Sequence, residues 1–406
     1  MKLTKISLAI AIGAAAVAPA AMAQSSVQLY GKLYPYYITE KGTGATEKGA
    51  TVSTLTSAPT GESGAPRQSG FVSGNSRLGF RGTEDLGGGL KAIFQLEGQI
   101  NVDNGSGSAA GGGFMFNRNT FVGLDHDRFG NLQLGNNDTP FKTYGDTLGF
   151  LGLSSGTFMS TSSVLRKSGF GTSSSSSFHL RRPNSITYES PQFGGVQGAI
   201  QWSTDEAKTE IRDPRVLSMG VKYDNGPIYV ALAHEIHYDL YGGSRNAPSA
   251  QRNNGDKDPT RSKDRATQFT VEYRLDKQHK FEFDAIRKEY NEGASVTGRF
   301  NSYRNMAYLL AMENRWSDQW RTSVYYVKSL AGNCSRVNAA CTTDGLEGSK
   351  FTIGAAYYLS KRTFLWSAAS RITNGKSARF SNQELGGVPN PGEDLNQFAL
   401  GISHSF

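Results

Sequence analysis

The sequence predicts an all-β fold, a 16-stranded antiparallel transmembrane β-barrel with its third loop folded inward. Three observations predict it. Runs of about nine to eleven residues alternate apolar and polar side chains, the length and period of a strand that crosses a bilayer obliquely. Short turns alternate regularly with long hydrophilic loops. Composition joins only 37% apolar residues to 48 Gly, 18 Tyr and 22 Phe, and after the amino end no run of about 18 apolar residues could form a membrane helix.

The amino end comes first. MKLTKISLAIAIGAAAVAPAAMA has two lysines, an apolar run from Ile6 to Val17 and the small-residue site Ala21-Met22-Ala23. That order is a secretory signal peptide, with cleavage expected after Ala23. The run is short for a membrane anchor. Residues 1–23 are then the signal and 24–406 the barrel. Without the signal's two lysines the chain keeps 41 basic and 35 acidic residues, about +6.

The strands repeat one pattern. VQLYGKLY opens it, with Lys32 opposite Leu29, Gly31 and Leu33. In LKAIFQLEGQI, Leu90, Ala92, Phe94, Leu96 and Ile100 oppose Lys91, Gln95, Glu97 and Gln99. RVLSMGVKY, TQFTVEYRL and KFTIGAAYYL alternate in the same way. QFALGISHSF ends the chain with Phe398, Leu400, Ile402 and Phe406 on one face, His404 being the polar exception. A last strand of this kind pairs with VQLYGKLY and leaves no free edge.

Turn chemistry marks the short connections: Gly87-Gly88-Gly89, Arg128-Phe129-Gly130-Asn131, the stretch 191–195, Asp224-Asn225-Gly226-Pro227, Asp276-Lys277-Gln278, Ser317-Asp318-Gln319 and Ser360-Lys361-Arg362. Glycine and asparagine supply positive φ and proline a bend. Long loops are expected at about 39–75, 103–115, 139–183, 204–214, 238–265, 291–301, 330–348 and 373–395. Seven turns and eight loops join sixteen strands. A soluble β-sandwich would also alternate. Eight long loops at one end disfavour it, and the charges Glu272, Arg274, Glu282, Asp284 and Lys288 within strands suit a water-filled lumen.

Basic residues concentrate in three stretches. SRLGFRG places Arg77 and Arg81 opposite Leu78 and Phe80, so both arginines point inward if the apolar face meets lipid. Arg118 in FNRNTFVGL shares the nominal face of Val122 and Leu124, so its direction stays open between a bulge and a wall buried between subunits. Arg181 and Arg182 close the irregular stretch 139–183. A loop of that length is functional or disordered, and its Phe141, Tyr144, Leu148, Phe150, Leu151, Leu153 and Phe158 require burial, which folding into a barrel provides. Asp138 and Asp146 add negative charge to its first half.

With these motifs together, the chain resembles the general porins of β-proteobacteria. NSRLGFRGTEDLGGGLKAIFQLEG, FNRNTFVGL, FGNLQLGN, NSITYESPQFGGVQGAIQ, YDNGP, LSKRT and the final GISHSF carry the resemblance. It implies a homotrimer in the outer membrane, surrounded by lipid and lipopolysaccharide, that passes small hydrophilic solutes and anions. It implies that loop 139–183 narrows the pore, and that Arg77, Arg118 and Arg181, with wall acid Glu97, form a constriction cluster facing acids. Arg81, Arg182, Lys32 and Asp146 are further candidates. Phe406 would be the residue that the barrel insertion machinery recognises.

Other classes fit less well. A hydrolase needs a nucleophile oriented by His and a third group, and the histidines are few and scattered. His234-Glu235-Ile236-His237 lacks the spacing of a zinc helix. No cofactor or metal is expected, since the Gly runs at 87–89 and 111–113 open no helix, and no nucleic acid, because the basic residues interleave with acids. A solute-specific anion channel stays open beside a general one. Cys334 and Cys341, close together in an exported chain, could close a small disulfide loop.

Overall fold

A computed structural model of the protein describes residues 26–61, 64–107, 116–145, 147–152, 157–171, 176–253, 260–386 and 389–406. The expected signal 1–23 lies outside the described residues.

Sixteen antiparallel strands close into one barrel. β1 runs Ser26–Leu33 and continues as Tyr36–Thr43; β2 runs Gln68–Val72 and continues as Arg77–Gly87. There follow β3 (Leu90–Asn101), β4 (Thr120–His126), β5 (Gly130–Asp138), β6 (Arg181–Glu189), β7 (Val196–Thr204) and β8 (Arg215–Asn225). The second half is β9 (Ile228–Tyr238), β10 (Lys263–Arg274), β11 (His279–Asn291), β12 (Phe300–Arg315), β13 (Trp320–Ser329), β14 (Gly348–Tyr358), β15 (Thr363–Asn374) and β16 (Asp394–Ser405). The long connections are denoted L1 to L8, L3 being residues 139–180 and L8 residues 375–393. Two strand ends differ from expectation: regular pairing carries β1 to Thr43 and resumes at Gln68, so L1 is shorter than 39–75.

Closure is made by β1 and β16, with Tyr36 opposite Gly401 and Lys32 opposite Ser405. The last residue takes part: Gly31 and Phe406 exchange two backbone hydrogen bonds, both 3.1 Å. The break in β1 falls at Pro35, which has no N–H to give the ladder. Beside it the Tyr34 N–H is satisfied by Ser76 Oγ at 2.8 Å.

Alternation sorts the two faces. Val27, Leu29, Phe269, Ile353, Phe398, Leu400 and Ile402 are exposed outward, while Ala399, Gln397 and Ser403 between them are buried. His404 is on the outward parity and bonds Thr363 Oγ1 at 2.8 Å, which gives the imidazole a partner at the rim. Cys334 and Cys341 are disulfide-bonded within L7, Cα to Cα 5.8 Å.

One expectation is corrected. Glu272, Glu282, Asp284 and Lys288 do not face open water; each is buried. L3 covers much of this stretch of wall. Its helix α1 (Pro140–Gly145) packs against β8, β9 and β10, and its turn α2 (Ser162–Leu165) against β12, β13 and β14. Phe141, Phe150, Leu151, Phe158, Val164 and Leu165 are buried there, as their apolar character requires.

Candidate functional site

The expected arginines come together on one side of the barrel. Arg77 and Arg81 leave β2 on the inward parity with Gly79 between them. Any Cβ on Gly79 would lie 2.7 Å from the Tyr30 ring, so glycine here lets that ring cross the strand. The Tyr30 hydroxyl then donates to Glu97 Oε2 at 3.1 Å, and the Arg81 guanidinium lies over the ring at 4.9 Å.

Glu97 on β3 is the hub. Arg118 Nε reaches its Oε1 at 2.5 Å and Arg77 Nε its Oε2 at 3.5 Å. The open question about Arg118 is answered by its position: it lies ahead of β4 in an irregular segment, so the strand's alternation does not govern it. Its N–H still pairs with the Glu97 carbonyl at 3.0 Å, which brings the side chain back over the carboxylate.

Arg181, at the start of β6, forms the adjoining group. It pairs with Asp138 at 3.0 Å and donates to Asn119 Oδ1 at 2.6 Å. Lys142, on α1, meets the same Asp138 carboxylate at 2.8 Å. Arg77, Arg118 and Arg181 are near enough to act on one another electrostatically. The assembled group is thus three guanidiniums and one ammonium against two carboxylates. His179 adds no charge. Burial, together with Lys142, Arg166, Lys167 and Arg181 around it, holds its imidazole well below the usual histidine range.

The remaining candidates have other partners. Arg182 turns to Ser203 Oγ at 3.4 Å. Lys32 faces Arg77 in the ladder, with its ammonium over the rings of Tyr34 and Phe364 at 5.5 and 5.8 Å. Arg81 also holds Gln28 at 2.9 Å. Asp146 lies outside the described residues. Asp138, expected as a loop charge, sits within the basic group.

Across the barrel, side chains not singled out as site residues anchor L3. Lys288 Nζ donates to the carbonyls of Leu165 and Lys167 at 2.8 and 2.7 Å. Lys350 Nζ reaches Phe158 and Ser160 carbonyls at 2.5 and 2.8 Å. Tyr325 and Tyr290 donate to Met159 and Ser176 carbonyls at 2.7 and 2.5 Å. Within L3, Arg166 binds the Gly145 carbonyl and reaches Gln268 of the wall at 2.9 Å. The signal for these anchors was parity: each wall residue stands on the inward face of its strand.

A closed barrel with an apolar outer belt and a charged, loop-lined interior defines an outer-membrane channel of the porin class. The chain belongs to the Gram-negative porin family, whose model matches residues 8–377. It is 36% identical to outer membrane porin protein 32 of Delftia acidovorans over 58% of this chain, and the match spans 60% of that protein's length. It is 26% identical to an outer membrane porin protein of Bordetella pertussis over 92% of this chain and 95% of that protein. Among solved structures, the anion-selective porin from Comamonas acidovorans superposes with a TM-score of 0.68 at 22% identity, covering 94% of this chain and 100% of that one.

Proposed function

We propose that the chain is a general diffusion porin, exported by residues 1–23 and assembled as a homotrimer, that passes small hydrophilic solutes and favours anions. The observation that carries the anion preference is the group around Glu97 and Asp138, where four cations meet two carboxylates. Arginine remains protonated at every working pH. Fixed charge beside a low-dielectric wall focuses its field onto passing ions. L3, packed on the far wall, forms the other lip of the constriction. The anion selectivity of the Comamonas porin on the same fold agrees with this reading. A transverse field between arginines and facing acids would also order water and disfavour apolar solutes.

The test is single-channel recording in a salt gradient. Purified protein in a planar bilayer opens in discrete steps, in threes for a trimer. Neutralising Arg77, Arg118 and Arg181 together moves the zero-current potential toward cation preference; an unchanged potential rejects the assignment. Saturable block by one solute class marks a specific channel, and an unsaturable current a general one.

A further inference from the structure

A second basic site, distinct in its residues from the group around Glu97 and Asp138, lies between L3 and L8. It is a cavity of about 380 Å³ lined by Lys167 of L3 and by Arg379, Asn382 and Gln383 of L8, among other residues. We propose that this cavity is a docking site for a small protonated oxyanion of the hydrogen phosphate class, reached from the long-loop end of the barrel.

Three observations carry this. The cavity is built rather than incidental, because its two walls are tied together. The Arg379 N–H donates to the Gly169 carbonyl at 2.8 Å, and the Asn382 amide bonds the Phe158 carbonyl. Arg379 is also oriented: its Nε is taken by the Pro389 carbonyl at 2.9 Å, which leaves its terminal nitrogens for a ligand.

The charge is unbalanced. Among the described residues neither Lys167 nor Arg379 makes an ion pair, and no carboxylate lines the cavity. Burial depresses both cations, and no acid opposes that effect. A desolvated cation without a counter-charge is costly, and an anion between the two relieves both.

The lining is polar as well: Ser163, Ser381, Asn382 and Gln383 stand around the two cations. Chloride can only accept from such groups. Hydrogen phosphate offers several oxygens, so it can meet both cations at once, and its O–H can donate to a hydroxyl or amide oxygen of the lining. The site goes beyond the channel reading, since binding there does not require conduction.

The experiment uses inorganic phosphate and the full-length protein in planar bilayers bathed in potassium chloride. Phosphate added at the long-loop side lowers the chloride current saturably, and at lower concentration than when added at the short-turn side. In Lys167→Gln/Arg379→Gln the half-effective concentration rises at least about tenfold, the loss of hydrogen bonds to charged groups. The chloride current without phosphate persists. Gln383→Ala, which leaves the charge untouched, weakens the effect by a smaller factor. Calorimetric titration of the detergent-purified protein with phosphate reads the same order of affinities whether or not the channel conducts. Phosphate that binds wild type and the double variant alike overturns the proposal and assigns the block to the arginines. No heat and no block in wild type also overturn it. Absence of conductance with phosphate binding intact rejects the channel reading and leaves this site standing.

Discussion

Replacing Glu97 by glutamine removes one negative charge from between Arg77 and Arg118 and keeps the side chain's size. The basic group then holds four cations against Asp138 alone. For an ion passing at roughly 10 Å in water, one added unit of net positive charge is worth about 0.4 kcal/mol. The term has opposite sign for anion and cation, so the permeability ratio moves by about 0.8 kcal/mol, roughly fourfold. Screening at about 0.1 M salt cuts this to roughly twofold. The direction is what makes the variant informative. Glu97 also accepts from Tyr30 and holds both arginines, so mere loss of order in the arginine group would relax the proposed selectivity. Fixed charge instead predicts a gain in anion preference that grows as salt is lowered. Zero-current potentials in potassium chloride gradients at low and high mean concentration read both quantities. A shift toward cations, or no shift at low salt, refutes the electrostatic account.

Two further outcomes follow from other contacts. The Phe406 ring lies against Gly31, where a Cβ would strike it and would also lie 2.8 Å from the Arg77 carbonyl; Gly31→Val is expected to lower the yield of heat-modifiable barrel in outer membranes as severely as deletion of Phe406, and normal assembly of the variant would show that this seat is dispensable. In L8, burial pushes Glu384 up to about 7, with Glu40 raising it and the Tyr36 hydroxyl, the Phe158 N–H and Lys350 opposing. A carboxyl raised in the folded state contributes stability that is complete below the unfolded value, near 4.5, and lost as pH rises through about 7. L8 is therefore expected to be better protected from hydrogen exchange, corrected for intrinsic rates, at about pH 5 than at about pH 8, by up to roughly 3 kcal/mol. Glu384→Gln should abolish that difference; a pH dependence that survives in the variant assigns it elsewhere.

The barrel was legible in the sequence because lipid imposes a period of two on every strand. Val27, Leu29, Phe398 and Leu400 face outward as alternation requires. Arg77 was legible for the same reason. Arg118 was not, because its direction is set by an irregular segment that refolds over Glu97. Lys288 shows a different limit. Parity placed it on the inner face correctly, but parity carries no information about what covers that face. Whether it meets water or the carbonyls of Leu165 and Lys167 depends on the path of L3. That path is set by contacts more than a hundred residues apart, and no local pattern encodes it. The L3–L8 cavity was invisible for the same reason, as Lys167 and Arg379 are far apart in sequence.

The path of L3 also decides which interior charges an ion can feel. The carboxylates of Glu282 and Asp284 on β11 are buried, and Thr147 of L3 bonds Glu282 directly. On the opposite side, the side chains of Arg77, Arg118 and Arg181 remain 23%, 15% and 17% exposed. The loop keeps both acids from direct contact with a passing ion, and Glu282 is already hydrogen-bonded by Thr147. The arginines act through water at close range. The proposed anion preference then does not require an excess of basic residues over the whole interior. It would follow from a loop that covers acids on one wall and leaves arginines open on the other. The same loop is held by Lys288 and Lys350 through its backbone carbonyls, so this anchoring takes no carboxylate away from the arginine group.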